Sequence, residues 1–280
     1  MFSPVLIWFL LFYYGPMYGL QIAFREFTFK EGIWGSPWIG FDNFRALFSG
    51  TYFPEALRNT LMLSFMRMFF GFPVPIIFAL LLNEIIHSAF KRIVQSISYL
   101  PRFMSWVVIA GLFYNILSPS RGVLAFTGID FLMDPRFFRW TLILADNWAG
   151  TGWASIIYLA AITGIDPALY ECAALEGAKK FKMMWYITIP MILPVISIMF
   201  IMHLGSFLTY SFELVFNMQN DLVLSVSETI DTYAYKIGLA GGRYSFGTAV
   251  GLFQSVIGCI LVIGANMIVR RIDDGANALF

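Results

Sequence analysis

Six apolar blocks decide what this 280-residue chain can fold into. Crossing a bilayer core as a helix takes about 20 apolar residues, and six stretches qualify, some of them interrupted. They run from about Pro4 to Phe24, Ala56 to Leu82, Val94 to Leu117, Trp140 to Thr163, Met191 to Phe216 and Phe246 to Val269. Lipid offers no hydrogen-bond partners, so each block must satisfy its own backbone, and the helix does this. The expected fold class is all-α, a polytopic membrane protein with six transmembrane helices. The second block contains Arg67, Pro73 and Pro75, and the third contains Pro101 and Arg102. Prolines there are expected to kink or unwind the helix, which is tolerated where backbone is buried in protein or lines a cavity.

Composition agrees. Hydrophobic residues make up 59% of the chain and charged residues 12%, about half the charged share of an ordinary soluble domain. One core could not hide that much apolar surface, so lipid must cover part of it. The net charge of +1 leaves no electrostatic footprint for nucleic acid. Cys172 lies in a polar loop and Cys259 in an apolar block, so no disulfide framework is expected. The first block lacks a basic leader region and a small-residue cleavage site, and so reads as a membrane helix rather than a signal peptide. It starts almost at Met1, and any native cytoplasmic leader is expected to be missing from this sequence.

Between the blocks, Phe41, Phe44, Leu47 and Phe48 fall at helical spacing and predict a short interfacial helix over Phe41–Phe48. The long loop from Asn217 to Ser245 contains an amphipathic stretch from about Val226 to Ile237 and a turn at Gly241-Gly242. Six spans put both termini on one side. That side carries Lys91, Arg92, Lys179, Lys180, Lys182, Arg270 and Arg271. The other carries Arg25, Lys30, Arg45, Arg58, Arg121, Arg136, Lys236 and Arg243, with Arg139 at the border. The totals do not decide orientation. The first side has the shorter, denser loops, and short loops count most, so it is expected in the cytoplasm. Gly247, Gly251 and Gly258 share one stripe of the sixth block, spacing that suits ordinary close helix packing.

Catalytic motifs are missing. No G-x-x-x-x-G-K-(S/T) run is present to cradle nucleotide phosphates, so if ATP drives this chain another subunit binds it. Neither H-E-x-x-H nor G-x-S-x-G occurs, which argues against an intramembrane enzyme. His87 follows Glu84 at a spacing used by di-iron helices, but a single copy at a helix end reads as a solvated pair, and no metal site is expected.

Polar residues inside spans are expensive and need a reason. In the fifth block, His203, Ser206, Tyr210 and Glu213 are spaced to share one helix face, with His203 near mid-span. In the fourth, Asn147, Thr151 and Tyr158 share a face beside Trp148, and Trp153 shares another with Asp146 and Gly150. Rings beside amides and hydroxyls suit a sugar, whose C–H faces meet the ring while its hydroxyls meet polar groups. Interhelical hydrogen bonding explains the same residues. Arg67, Arg102 and His203 could pair with Glu84, Asp146 or Glu213, snorkel to the interface, or meet an anionic oligosaccharide such as a uronate.

The segment Glu171-Cys172-Ala173-Ala174-Leu175-Glu176-Gly177-Ala178, with Ile187-Thr188-Ile189-Pro190 after a lysine-rich spacer, resembles the EAA loop of the permease subunits of type I (maltose-type) ABC importers. FYYGPMYGLQIAFREF…GSPWIGFDNFRALF, SYLPRFMSWVVIAGL and SVSETIDTYAYKIGLA…YSFGTAVGLFQSVIG resemble a narrower group, permeases for oligosaccharides derived from polysaccharides. The resemblance implies the type I permease fold: a first helix and extracytoplasmic loop over residues 1–55, then a five-helix core over 56–280 with a cytoplasmic coupling loop at 164–190. It implies a second homologous permease subunit, two ATP-binding-cassette ATPase subunits that bind ATP and Mg, an extracytoplasmic solute-binding protein and an oligosaccharide substrate. No cofactor is implied for this chain itself. The setting would be the bacterial cytoplasmic (inner) membrane, multi-pass, with cytoplasmic termini. The coupling residues would be Glu171, Ala173, Ala174, Glu176, Gly177, Ala178, Met184 and Pro190, with Met184 filling a groove on the ATPase. The substrate path would use Asn147, Trp148, Gly150, Trp153, His203, Ser206 and Tyr210. Cys172 stands for an alanine of the family pattern and Glu176 for an aspartate. An ion-coupled secondary transporter is the alternative. It would need mid-span carboxylates, for which Glu213 is the main candidate, and commonly inverted repeats, of which none is evident.

Overall fold

A computed structural model of the chain describes residues 3–272. The tail over 273–280 and the Arg271 side chain, both expected on the coupling-loop side, lie outside the described residues. The chain opens with α1 (Ser3–Phe24), a membrane-length helix whose apolar side chains point outward. The short helix α2 (Asp42–Ser49) follows, where an interfacial helix was expected. Its Leu47 is buried against Phe53, Ile230 and Phe246, while Phe41 and Phe48 face outward. The helix is thus seated on its own chain through Leu47. Asn43 fixes it further, donating to the Ala23 carbonyl at 2.8 Å.

The second block is α3 (Tyr52–Asn83), continuous through both prolines. It contains one wide turn, over Arg67–Gly71, in which Phe72 N–H donates to the Arg67 carbonyl at 2.9 Å. The turn sits immediately before Pro73, which has no N–H to donate. The third block is broken. Helices α4 (Ser88–Phe103) and α5 (Trp106–Leu117) meet at 108°. The break falls just after Pro101, and Ser105 restarts the chain by accepting from Val108 N–H at 3.4 Å.

The fourth block is α6 (Pro135–Thr163), which begins before the expected Trp140. Asp134 caps it, accepting from Arg136 N–H at 2.9 Å, and Pro135 occupies the first turn. Next come α7 (Pro167–Leu175) and α8 (Lys180–Gly205). Here one expectation fails: the fifth block is not one helix to Phe216. It stops at Gly205, turns through 206–211, and resumes as α9 (Phe212–Met218). The cause is packing. A Cβ on Gly205 would stand 2.9 Å from Val262, and one on Gly258 would stand 2.6 Å from the Gly205 carbonyl. Backbone therefore closes on backbone at this point, and the chain turns away.

The long loop after α9 holds a helical turn at Leu224–Ser227, where the expected stretch begins, and then α10 (Ile230–Ala234), which a Thr229–Thr232 capping box starts. The loop is bonded to the spans. Ile230 N–H donates to Thr60 Oγ1 at 2.9 Å, and Arg139 reaches both Asn59 Oδ1 at 2.8 Å and the Val226 carbonyl at 3.2 Å. The last block is α11 (Tyr244–Ile272). Two of its stripe glycines sit at close contacts, Gly247 against Gly238 and Gly258 against Gly205, whereas Gly251 faces open space. Among the described residues, four helices are long and apolar enough to cross a membrane alone, and counting each bent pair (α4 with α5, α6 with α7) as one span gives six.

Candidate functional site

Two regions gather the residues singled out by sequence. The first is a cavity of about 260 Å³ between α3, α4, α6 and α8. Asn147, Gly150, Thr151 and Trp153 line it from α6, Arg67 and Phe72 from α3, Arg102 from the end of α4, and His203 and Met199 from α8. Four of the seven expected path residues, Asn147, Gly150, Trp153 and His203, thus share one wall. Gly150 leaves that wall open, since a Cβ there would meet nothing within 4 Å. Trp153 is half exposed and takes the edge of Phe103 at 5.9 Å. Asn147 Nδ2 donates to the Phe70 carbonyl at 3.4 Å, and its Oδ1 occupies the space that Gly71 leaves free.

The remaining three lie elsewhere. Trp148 lines a neighbouring apolar groove of about 480 Å³ that shares Asn147 and Thr151 with the cavity. Ser206 and Tyr210 do not continue the His203 face, because α8 has already ended. Ser206 is exposed and donates to the His203 carbonyl at 3.1 Å. Tyr210 is wholly buried in the core beside Leu214, with the Arg67 guanidinium 5.7 Å over its ring. Glu213 is exposed on α9, outside the cavity lining.

Charge pairing in the cavity is specific. Arg67 Nε lies 3.2 Å from Asp146 Oδ2, with both side chains mostly buried. This is one of the pairings considered from sequence. Glu84 is paired elsewhere, with Lys180 at 3.1 Å. Tyr158, which shares the Asn147 and Thr151 face, also lines the cavity, as do Phe72, Pro75, Ala154 and Met199. Those apolar residues look like any other of their blocks, and only the proline pair near Arg67 hinted at an irregular wall.

The second region is the α7–α8 loop. Asp166 accepts from Ala168 N–H at 2.9 Å and starts α7, again with proline in the first turn. The helix ends in a Schellman turn: Ala178 N–H donates to the Ala173 carbonyl at 2.9 Å, and Gly177 N–H to the Ala174 carbonyl at 3.0 Å. Gly177 sits at φ +77°, the left-handed region that a side chain disfavours. Tyr170 and Thr188 hydroxyls meet at 2.9 Å and tie the two arms together. Glu171, Ala174 and Glu176 are exposed, as is Pro190, and Ala173 and Ala178 are half-buried. The wide turn over Met184–Thr188 sets Met184 half-buried against the chain's own cluster around Ile162 and Ile192, leaving only part of its side chain for a partner. Leu175, Phe181, Trp185 and Tyr186 are exposed, Leu175 at 90%, with Phe181 stacked on Trp185.

Comparison with known proteins agrees with this architecture. The family described as "binding-protein-dependent transport system inner membrane component" matches residues 43–274. Protein LplB of Bacillus subtilis (strain 168) is 42% identical over 277 residues, covering 96% of this chain and 87% of LplB. The polygalacturonan/rhamnogalacturonan transport system permease protein YteP of the same strain is 42% identical over 281 residues, covering 98% and 88%. A chain of a bacterial ABC transporter involved in the import of the acidic polysaccharide alginate superposes with a TM-score of 0.88 at 42% identity, covering 96% of this chain and 93% of that one. On sequence and fold together, the chain belongs to the inner membrane components of binding-protein-dependent transport systems.

Proposed function

We propose that this chain is one of two homologous permease subunits that form the translocation path of an ATP-driven oligosaccharide importer, and that sugar passes along the Asn147–Trp153–His203 wall. The observation that carries the reading is this mid-span cavity, where an aromatic ring, an amide and an imidazole converge. Such a wall offers a ring to the C–H faces of a pyranose and hydrogen-bond partners to its hydroxyls. Membership of the family sets aside ion-coupled secondary transport. Relatives named for polygalacturonan, rhamnogalacturonan and alginate support a polysaccharide-derived substrate.

The separate ATPase chains would hold ATP and Mg. Closure of the ATPase pair carries the α7–α8 loop with it, through Glu171, Glu176 and the free apolar side chains around Gly177. Because α8 runs directly from that loop to His203, motion of the loop reaches the cavity wall along one helix. The cavity then alternates between the two sides, each state favoured by the partner that binds it better. An extracytoplasmic solute-binding protein would deliver sugar over the loops on the opposite face. The termini would lie in the cytoplasm with the coupling loop. Oligosaccharide uptake by the assembled importer in proteoliposomes tests the path. Asn147→Ala, Trp153→Ala and His203→Ala are each expected to slow uptake without loss of assembly or basal ATPase. If all three transport like wild type, the path runs elsewhere.

A further inference from the structure

Arg102 is the cation on the cavity that has no ion-pair partner among the described residues. It lies in the last turn of α4, immediately before the 108° break, and its side chain is exposed on the cavity. The carboxylate of the lining, Asp146, is held by Arg67 at 3.2 Å. Arg102 is close enough for its charge to act on Asp146, yet no carboxylate among the described residues stands within ion-pair distance of it. Of the two guanidinium groups on the cavity, therefore, one is spent on structure and the other is unclaimed. An unpaired cation inside a span is costly to keep and marks a functional position by default. A neutral sugar gives no return for it.

The neighbouring residue sharpens the reading. Phe103 meets the Trp153 ring edge-on at 5.9 Å and so holds the end of α4 against α6, and Arg102 and Trp153 line the same cavity. A uronic acid residue has the two matching features, a pyranose C–H face for the ring and a carboxylate for the guanidinium.

We propose that Arg102, carried at the end of α4 onto the cavity that Trp153 also lines, reads a sugar carboxylate, and that the importer therefore selects acidic oligosaccharides. This rests on the cavity being the sugar path. The other anion within reach of an arginine at a helix end is a lipid headgroup, and the test separates the two sources.

The assembled importer is placed in proteoliposomes of purely zwitterionic lipid, and uptake is measured for a uronic acid trisaccharide and for the same trisaccharide with its carboxylates reduced to alcohols. Wild type is expected to favour the acidic sugar. Arg102→Gln is expected to lower acidic uptake by roughly tenfold or more, the scale of one charge-assisted hydrogen bond, with the neutral sugar within about twofold. Arg102→Lys is expected to restore part of the acidic uptake. Equal loss of both sugars, or wild-type preference for the neutral one, overturns the proposal. So does a loss of acidic uptake in Arg102→Gln that appears only when anionic lipid is present, since the arginine then serves the headgroup. Trp153→Ala is the internal reference. If it slows both sugars while Arg102→Gln is unselective, the charge inference fails and the path stands. If it slows neither, the path itself is wrong.

Discussion

The α7–α8 loop and the cavity are held together in opposite ways. The loop is made by its own residues. An Asp166 cap, a Schellman turn on Gly177 and a Tyr170–Thr188 hydroxyl pair all close between residues near in sequence. It turns apolar side chains such as Leu175 and Phe181 outward. The cavity has almost no local scaffold. Four helices far apart in the chain bring one polar side chain or a few each, and the pair that matters, Arg67 with Asp146, spans two of them. A self-contained loop can move as a body without rearranging inside. A cavity built only from tertiary contacts changes whenever its helices tilt. This is the division of labour that alternating access requires.

The comparison predicts first that the loop breaks through a single backbone torsion. Gly177→Pro asks for φ near −65° where the chain needs +77°. The Schellman bonds cannot then close, and α7 loses its fixed angle to α8. Insertion should be unchanged, since no span is touched, while uptake falls roughly tenfold or more. Substrate-stimulated ATPase should fall with it while basal ATPase persists. Wild-type uptake would show that the turn transmits nothing.

The cavity side breaks through helix spacing instead, and two glycines on α6 separate its parts. A Cβ on Gly152 would run into the Ser98 carbonyl and backbone of α4, so Gly152→Ala must push α4 away. Overpacking of this kind costs about 2 kcal/mol and should appear as a lowered thermal midpoint of the purified complex. Gly150→Ala meets open space within the same cavity wall. Its stability should stay within about 0.5 kcal/mol of wild type, so any change in uptake then reports the path rather than the fold. Equal destabilisation by both substitutions would refute the idea that α4 is seated on Gly152.

The same contrast explains what could be read from the chain in advance. The blocks were legible because lipid imposes length and apolarity on each span separately. The loop was legible because the Glu171–Ala178 motif, with Gly177 as its turn, is written in consecutive residues, although the Asp166 cap before it went unread. The end of α8 was not. Phe207 and Leu208 keep the run apolar past Gly205, and what stops the helix is the backbone of α11 at Gly258, a contact with no local signature. Ser206 and Tyr210 were therefore placed on a helix face that does not exist. In the third block, Pro101 announced an irregularity, but its 108° angle is decided by how Phe103 and Trp106 find their neighbours. Met184 faces inward because of a wide turn, which depends on packing over α8 rather than on any residue preference.

The smallest expected effect concerns another locally built feature, the start of α6. Asp134 Oδ1 accepts from Arg136 N–H at 2.9 Å, and Oδ2 lies 2.7 Å from Arg136 Nη2. The Arg136 side-chain bonds, and after them its backbone N–H, hold the Asp134 carboxyl below its ordinary value of 3.8. A carboxyl depressed in the folded state contributes stability above its unfolded value and loses it as pH falls through the folded one. The pair is open to solvent, so the contribution is small. Asp134→Asn separates its two parts, because asparagine caps a helix about as well as aspartate but offers no charge to the guanidinium. Near neutral pH the variant should therefore melt only slightly below wild type, and the gap should close as pH falls below 3.8. Melting of the purified complex across that range is the measurement. A gap that stays constant with pH would mean that the carboxylate charge contributes nothing and that α6 is started by the cap alone, which would make this corner still more local than the loop around Gly177.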